Sequence, residues 1–318
     1  FLSYCSFWPP HGRPSVERNH APTHSLQPRR MGDLLKYFVY VNVVMYTFFS
    51  VGMISDAKIF WGAGSPFCYF TVFDVSAEWF AKSVGTIMFF MNMAPFFAGL
   101  SYETYARITL PISLYQLPFF VQNAFFSTTN GPDGCTSPYA MPINLFVPQL
   151  GLVVALIVWN VMALKQTNGG LSMSQAPKDG ATYFCWVMAL VYAVTFGTTL
   201  MISPKWFWGP DSIFCYWEVN DESGVFFGRM LGVLMVGLYL SPLYAGLEYA
   251  KLAKITMPMN IFFLSYFAKA AFFMESIGPG HNALLPVNLW VLQMPIGLFF
   301  LLWNIKVLRD TKGATQMF

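Results

Sequence analysis

Residues 80–126 read FAKSVGTIMFFMNMAPFFAGLSYETYARITLPISLYQLPFFVQNAFF, and residues 227–273 read FGRMLGVLMVGLYLSPLYAGLEYAKLAKITMPMNIFFLSYFAKAAFF. Gly85 pairs with Gly232, Pro95 with Pro242, Ala98-Gly99-Leu100 with Ala245-Gly246-Leu247, Thr109 with Thr256, and Pro111 with Pro258. The spacing is constant at 147 residues (242 − 95, and 256 − 109). One chain thus carries two similar apolar segments, each punctuated by Gly and Pro at the same places. That pattern predicts an internal duplication.

The match extends outward. Met53-Ile54-Ser55 recurs as Met201-Ile202-Ser203, Phe60-Trp61-Gly62 as Phe207-Trp208-Gly209, and Phe67-Cys68-Tyr69 as Phe214-Cys215-Tyr216. Near the end of each half the spacing falls to 144 (288 − 144), where Asn144 matches Asn288, Gln149 matches Gln293, and Trp159-Asn160 matches Trp303-Asn304.

Composition selects the environment. The chain is 56% hydrophobic, 19% aromatic and 10% charged, with a mean hydropathy of +0.49. Soluble domains carry about 25% charged residues. Long apolar runs without alternation select helices over barrel strands, because in lipid every backbone group must be paired internally. Eight spans are expected, near 35–55, 80–100, 107–127, 143–164, 182–203, 225–247, 254–274 and 286–305. The expected fold is an all-α polytopic membrane protein: eight transmembrane helices as two parallel-oriented four-helix repeats. An even number of spans per repeat gives both repeats the same orientation. The organisation reads as a leader over 1–30, a first repeat over 31–165, a linker over 166–181, a second repeat over 182–309 and a tail over 310–318. The leader is rich in Pro, His, Ser and Arg. It reads as disordered or upstream-translated sequence, or alternatively as an organelle transit segment.

Local chemistry refines the picture. Pro142 and Pro286 are expected at helix starts, and Pro95 and Pro242 are expected to kink spans two and six at equal depth. Trp61, Trp79, Trp206 and Trp208 are expected at the membrane interface. Lys36, Arg107, Lys165, Lys178, Lys251, Lys254, Lys306, Arg309 and Lys312 fall on the side of the termini, whereas Lys58 and Lys205 fall on the other. The positive-inside rule places both termini in the cytoplasm, or in the stroma or matrix of an organelle such as a plastid with thylakoids.

Candidate functional groups are few. Asn144, Gln149, Asn160, Asn288, Gln293 and Asn304 could join helices or line a polar path. Lys82 and Arg229 are matched cations at the outer ends of spans two and six, near Asp74 and Glu78 and near Asp221 and Glu222. They either snorkel or form a short ion pair with these acids at the interface, or contact an anion or headgroup on each half. Lys269 lies within span seven where the first half has Gln122; it either snorkels to the interface, where Glu275 could pair with it, or marks a transport site. Cys68 and Cys135 share one face, and either a disulfide or separate thiols fits them. Outside the leader the only histidine is His281. No paired ligands for metal or haem, no phosphate-binding loop and no nucleophile elbow is present. No catalytic residue, metal or resident cofactor is therefore expected, and no nucleic-acid partner. Lipid or pigment contact remains open.

Phe227-x-Arg229-x-Leu231-Gly232, followed by an apolar run, resembles the second helix of DoxX-like four-helix membrane domains. The first half has Phe80-x-Lys82-x-Val84-Gly85 there, with Lys in place of Arg. The resemblance implies a compact four-helix bundle per half, and no activity. The sequence supports a non-catalytic accessory or scaffold subunit of a larger membrane assembly, photosynthetic or respiratory, in contact with lipids, pigments and other subunits. The alternative is a carrier or channel for a small neutral or apolar solute.

Overall fold

A computed structural model describes residues 28–127, 133–167, 173–176, 178–212, 214–274 and 288–311. The fold is all-α. In chain order the helices are α1 (Pro28–Trp61), α2 (Val75–Phe97), α3 (Tyr102–Phe125) and α4 (Phe146–Gln166), followed by α5 (Gly180–Met188), a π-helix (Ala189–Gly197), α6 (Thr198–Ile202) and α7 (Pro204–Trp208). The chain continues as α8 (Glu222–Tyr239), α9 (Ser241–Tyr244), α10 (Tyr249–Phe273) and α11 (Leu289–Asp310).

Five stretches are long and apolar enough to cross a membrane: Asp33–Trp61, Phe146–Gln166, Gly180–Ile202, Glu222–Tyr239 and Leu289–Asp310. These make the chain an integral membrane protein. α2, α3 and α10 fall outside this set, although they are 23, 24 and 25 residues long. Their charges, Glu78 and Lys82, Glu103 and Arg107, and Lys251, Lys254 and Lys269, dilute their hydropathy.

Side-chain exposure sorts the helices into a centre and a perimeter. α8 is the most buried of the five apolar stretches, with 78% of its window inside the protein. It packs against α2. α4 and α11 turn Val154, Val158, Leu298 and Leu302 outward. In lipid such a perimeter costs nothing, since acyl chains are as apolar as these side chains.

The centre is a block of rings. Trp61 lies against Tyr69 with centroids 4.2 Å apart, and Trp208 against Tyr216 at 4.4 Å. Phe227 of α8 meets Trp61 edge-on at 5.6 Å, while Phe80 of α2 meets Trp208 edge-on at 6.2 Å. Each side of the molecule therefore inserts a ring into the other. Offset and edge-on contacts of this kind add about 0.5–1.5 kcal/mol per pair beyond the area they bury.

Here the interfacial role expected for three tryptophans is overturned. Trp61, Trp79 and Trp208 are buried, and only Trp206 is exposed. The loops after α1 and α7 fold back over the helix ends. Phe70 N–H donates to Trp61 O at 3.0 Å, and Trp217 N–H donates to Trp208 O at 3.1 Å. The returning chain covers the indoles.

Backbone irregularities fall at matched places. Asp56 interrupts α1 at φ −153°, ψ 95°, and Ser203 separates α6 from α7 at φ −158°, ψ 96°. Cys68 and Cys215 take positive φ of 34° and 31°, and Gly99 and Gly246 take 65° and 70°. The two glycines follow the C-caps Ala98 and Ala245. Left-handed φ is the conformation a helix C′ position needs, and glycine adopts it without Cβ strain.

The prolines act differently from expectation. Pro95 lies two residues before the end of α2, and Pro242 lies in α9, after α8 has stopped at Tyr239. They mark helix ends, not mid-span kinks. A proline ring obstructs the carbonyl four residues back, here Leu238 O, which accepts the Ser241 hydroxyl at 2.6 Å instead. Pro142 precedes a turn and α4 starts at Phe146. Pro286 lies outside the described residues.

One irregularity has no counterpart. Contacts before the π-helix match at 146 residues: Phe38 meets Trp159 edge-on and Phe184 meets Trp303 edge-on (184 − 38). From its last residue on, contacts match at 147: Gly85 faces Ser50 O and Gly232 faces Gly197 O (197 − 50). The π-helix takes up the extra residue, as wide turns do. The pairing of Met53-Ile54-Ser55 with Met201-Ile202-Ser203 is therefore one residue out of register, because the backbone break falls at Asp56 and at Ser203.

Candidate functional site

The six matched amides are distributed along α4 and α11 and do not converge on one path. Asn160 is buried and donates to Ala106 O and Thr109 Oγ1, both at 3.0 Å. Asn304 is buried beside Thr256. In the amide orientation that satisfies its neighbours it donates to Ala253 O at 3.0 Å and accepts from Thr256 Oγ1 at 3.0 Å and Asn260 Nδ2 at 3.2 Å. Each ties the last long helix of its side to the preceding one. Asn144 donates to Ala124 O at 3.2 Å and Asn288 to Ala271 O at 3.3 Å, and each accepts from the backbone two residues on. Both hold a helix start against the preceding helix end.

Gln293 donates to Tyr216 Oη at 2.6 Å inside the aromatic block. Gln149 borders a small apolar cavity of about 40 Å³, and its Oε1 is buried without a hydrogen bond.

The cations lie at two matched places between the sides of the molecule, and a crevice opens at the second, beside Arg229. In one, Glu78 accepts from Lys82 at 2.7 Å and from Lys269 at 3.0 Å. Lys269 thus pairs with a carboxylate from the first half; its candidate partner Glu275 lies outside the described residues. In the other, Arg229 donates to Gln122 Oε1 at 2.9 Å and lies over the Phe119 ring at 5.4 Å. The expected local pairing of Arg229 with Asp221 or Glu222 is replaced by these contacts with α3. Sequence spacing could not reveal either arrangement, since the partners sit 191 and 107 residues away.

Asp74 and Asp221 meet at the junction. Each caps a central helix: Asp74 accepts from Ala77 N–H and Asp221 from Ser223 and Gly224 N–H. Asp74 also accepts from Asp221 N–H at 3.0 Å. Burial, and then the nearby Asp221 carboxylate, raise the Asp74 carboxyl above its ordinary range.

Cys68 and Cys135 form a disulfide that closes a separation of 67 residues. The strand of loop carrying Cys135 is also held by Thr136 N–H to Ala63 O at 3.0 Å and Met141 N–H to Pro66 O at 3.1 Å. Cys185 and Cys215 are buried thiols; Cys215 N–H donates to Ser212 Oγ at 2.7 Å.

A feature the sequence did not announce is an apolar groove of about 580 Å³, lined by Arg107, Ile112, Tyr115, Val233, Gly237 and Tyr244 among others. Its counterpart is filled. Where this groove has Gly237 and Tyr115, the matched positions are Phe90 and Phe262 (237 − 90, and 262 − 115), whose rings pack 5.6 Å apart. Tyr244 Oη bonds Gly237 O at 2.6 Å. Arg107, at the groove edge, is paired with Glu103.

Among the described residues no group of three His, Cys, Asp or Glu side chains could hold a metal ion. Comparison of the chain with known protein families, curated proteins and solved structures gives no match.

Proposed function

We propose that the protein is a non-catalytic accessory subunit of a larger membrane assembly, built as eight spans in two co-oriented four-helix repeats. The observation that carries this reading is the filled centre. Phe80, Trp217, Phe227 and Trp290 are almost wholly buried where the two sides meet. Asn144, Asn160, Asn288, Asn304 and Gln293 spend their hydrogen bonds joining elements. A carrier that moves a solute between repeats would place polar groups and space at the centre of that junction; here the centre is close-packed rings, and the two larger open spaces lie away from it, at the Gly237 groove and beside Arg229. What remains for interaction is the apolar perimeter, which suits other helices, lipids or pigments.

The matched backbone breaks, caps and ring contacts support the repeat, and charge placement supports termini on the cytoplasmic, stromal or matrix side. The disulfide would then lie on the opposite, oxidising side.

Gentle extraction from the native membrane, followed by mass measurement and identification of the partners, tests the proposal. A stoichiometric multi-subunit particle is expected. The chain recovered alone, or only as copies of itself, contradicts it.

A second reading draws on the groove at Gly237, which could bind an apolar solute for carriage. Under it, Gly237→Phe would abolish solute flux in liposomes; the accessory reading expects wild type and variant to show no flux.

A further inference from the structure

Gln116 of α3 is a buried amide with open space beside it. The residue is only 6% exposed. No hydrogen bond reaches its side-chain amide among the described residues, yet neither the amide oxygen nor the nitrogen is sealed from a water-sized probe. Gln116 lines two cavities, of about 40 Å³ and about 20 Å³. Tyr46 and Met88 line both as well, so the two adjoin. The amide therefore faces space inside the protein. Its depth decides what that means. Tyr46 sits thirteen residues from one end of the Asp33–Trp61 span and fifteen from the other (46 − 33, and 61 − 46). At 1.5 Å per residue that is about 20 Å from either end. The cavities thus lie near mid-membrane, where lipid gives a polar group no partner.

The smaller cavity is the polar one. Tyr46, Asn92, Thr109 and Ser113 stand round it with Gln116. Two of these are already engaged. Asn92 donates to Met88 O at 2.6 Å and accepts from the Tyr105 hydroxyl, and Thr109 Oγ1 accepts from Asn160 at 3.0 Å. The Tyr46 and Ser113 hydroxyls bond each other. That leaves one of their two O–H groups free to donate, and lone pairs on both to accept. Gln116 adds a carbonyl oxygen and an NH2 group. Uncharged donors and acceptors converge on one small space. No Asp, Glu, Lys, Arg or His among the described residues lines either cavity, so an ion finds no counter-charge there.

We propose that the first half holds a mid-membrane binding site for water, with at least one ordered molecule bound to the Gln116 amide and to the Tyr46 and Ser113 hydroxyls. A buried water needs about 10–15 Å³ of such space and about three polar partners. The smaller cavity supplies about 20 Å³ and these three side chains. The second half is built without the site. Phe263 stands where Gln116 does and Asn260 where Ser113 does (263 − 116 = 147, and 260 − 113 = 147). Phe263 lies against the Phe267 ring, and Asn260 donates to the Asn304 side chain at 3.2 Å. Hydration is therefore confined to one of the two matched places.

The test is a crystal structure of the full chain, grown from a lipid phase, at a resolution that shows ordered solvent. Compact density should stand within hydrogen-bond distance of the Gln116 amide and the Tyr46 and Ser113 hydroxyls, with none beside Phe263. Gln116→Leu should lose that density. A second measurement stands on the wild type alone should the variant not fold: with isotope-labelled glutamine in lipid nanodiscs, one buried side-chain amide should show a magnetisation-transfer peak to water. An amide turned to bond a protein group directly, no density in the cavity, elongated density continuous with a lipid chain, density unchanged in Gln116→Leu, or no buried glutamine amide in contact with water overturns the proposal. The isolated chain suffices for both measurements, so their outcome is separate from whether the protein is an accessory subunit.

Discussion

The two sides of the molecule share positions and differ in chemistry where their cations lie. On one, Glu78 pairs with Lys82 and Lys269 and Phe90 packs on Phe262. On the other, Arg229 donates to the neutral Gln122 and lies over the Phe119 ring, with no ion pair among the described residues, and Gly237 leaves a groove. One side is closed by ion pairing and aromatic packing; the other, among the described residues, keeps a cation without an ion pair and leaves space. Matched sequence positions therefore carry the shape of the fold, and the departures from matching fall where space is left. The same lesson holds at the π-helix, where one extra residue is taken up over Ala189–Gly197, a feature without a counterpart in the described residues of α1.

Substitutions at matched pairs can break this comparison. The largest effect is expected at Gly232. A Cβ there would lie 2.5 Å from Met201 N and 2.6 Å from Gly197 O, both backbone atoms that cannot rotate away. Gly232→Val should cost more than about 3 kcal/mol, at or beyond the usual overpacking range, in equilibrium unfolding in mild detergent. At Gly85 the Cβ would meet a side chain, Met53 Cβ at 2.8 Å, as well as Ser50 O at 2.9 Å. Gly85→Val should therefore be measurably milder; equal costs would remove the distinction.

Next comes the disulfide, present on one side only. Cys135→Ser should lower stability by about 2–4 kcal/mol, read by the same unfolding assay, while Cys68–Cys135 reduction in the wild type should reproduce that loss. No loss in either case would show that the loop hydrogen bonds suffice.

Smaller effects are expected at the amides. Asn160→Leu and Asn304→Leu should each cost about 0.6 kcal/mol, up to about 1.7 kcal/mol, as interhelical hydrogen bonds in membranes do. Similar values for the two would sharpen the match between the sides. A value several-fold larger for one would break it.

The smallest effect concerns pH. Asp74 has a raised carboxyl pKa in the folded protein, so the fold favours its protonated form. Its contribution to stability is present at pH below the unfolded carboxyl value and is lost as pH rises through the raised folded value. Melting temperature should fall slightly over that rise, and Asp221→Asn should reduce the slope, since Asp221 is one cause of the shift. An unchanged slope would assign the shift to burial alone.

Much of this architecture was legible in the chain. The triplets Ala98-Gly99-Leu100 and Ala245-Gly246-Leu247 foretold shared backbone geometry, because only glycine holds a left-handed C′ residue cheaply. Other features were not legible, for physical reasons. Hydropathy does not register a single inserted residue, so the π-helix was invisible and the Met53 match was misplaced. Trp61 and Trp208 read as interfacial because composition cannot show a loop folding back over a helix end. For Lys269 local spacing offers only Glu275 as a partner, whereas the structure pairs it with Glu78, 191 residues away.

The central claim is that the two halves are co-oriented copies of one four-helix unit. Single cysteines placed at Lys58, Lys205, Lys165 and Lys251, one at a time, and labelled with a membrane-impermeant maleimide in sealed vesicles test it most directly. The account predicts that positions 58 and 205 label from one side and positions 165 and 251 from the other. Labelling of 58 and 205 from opposite sides would contradict it.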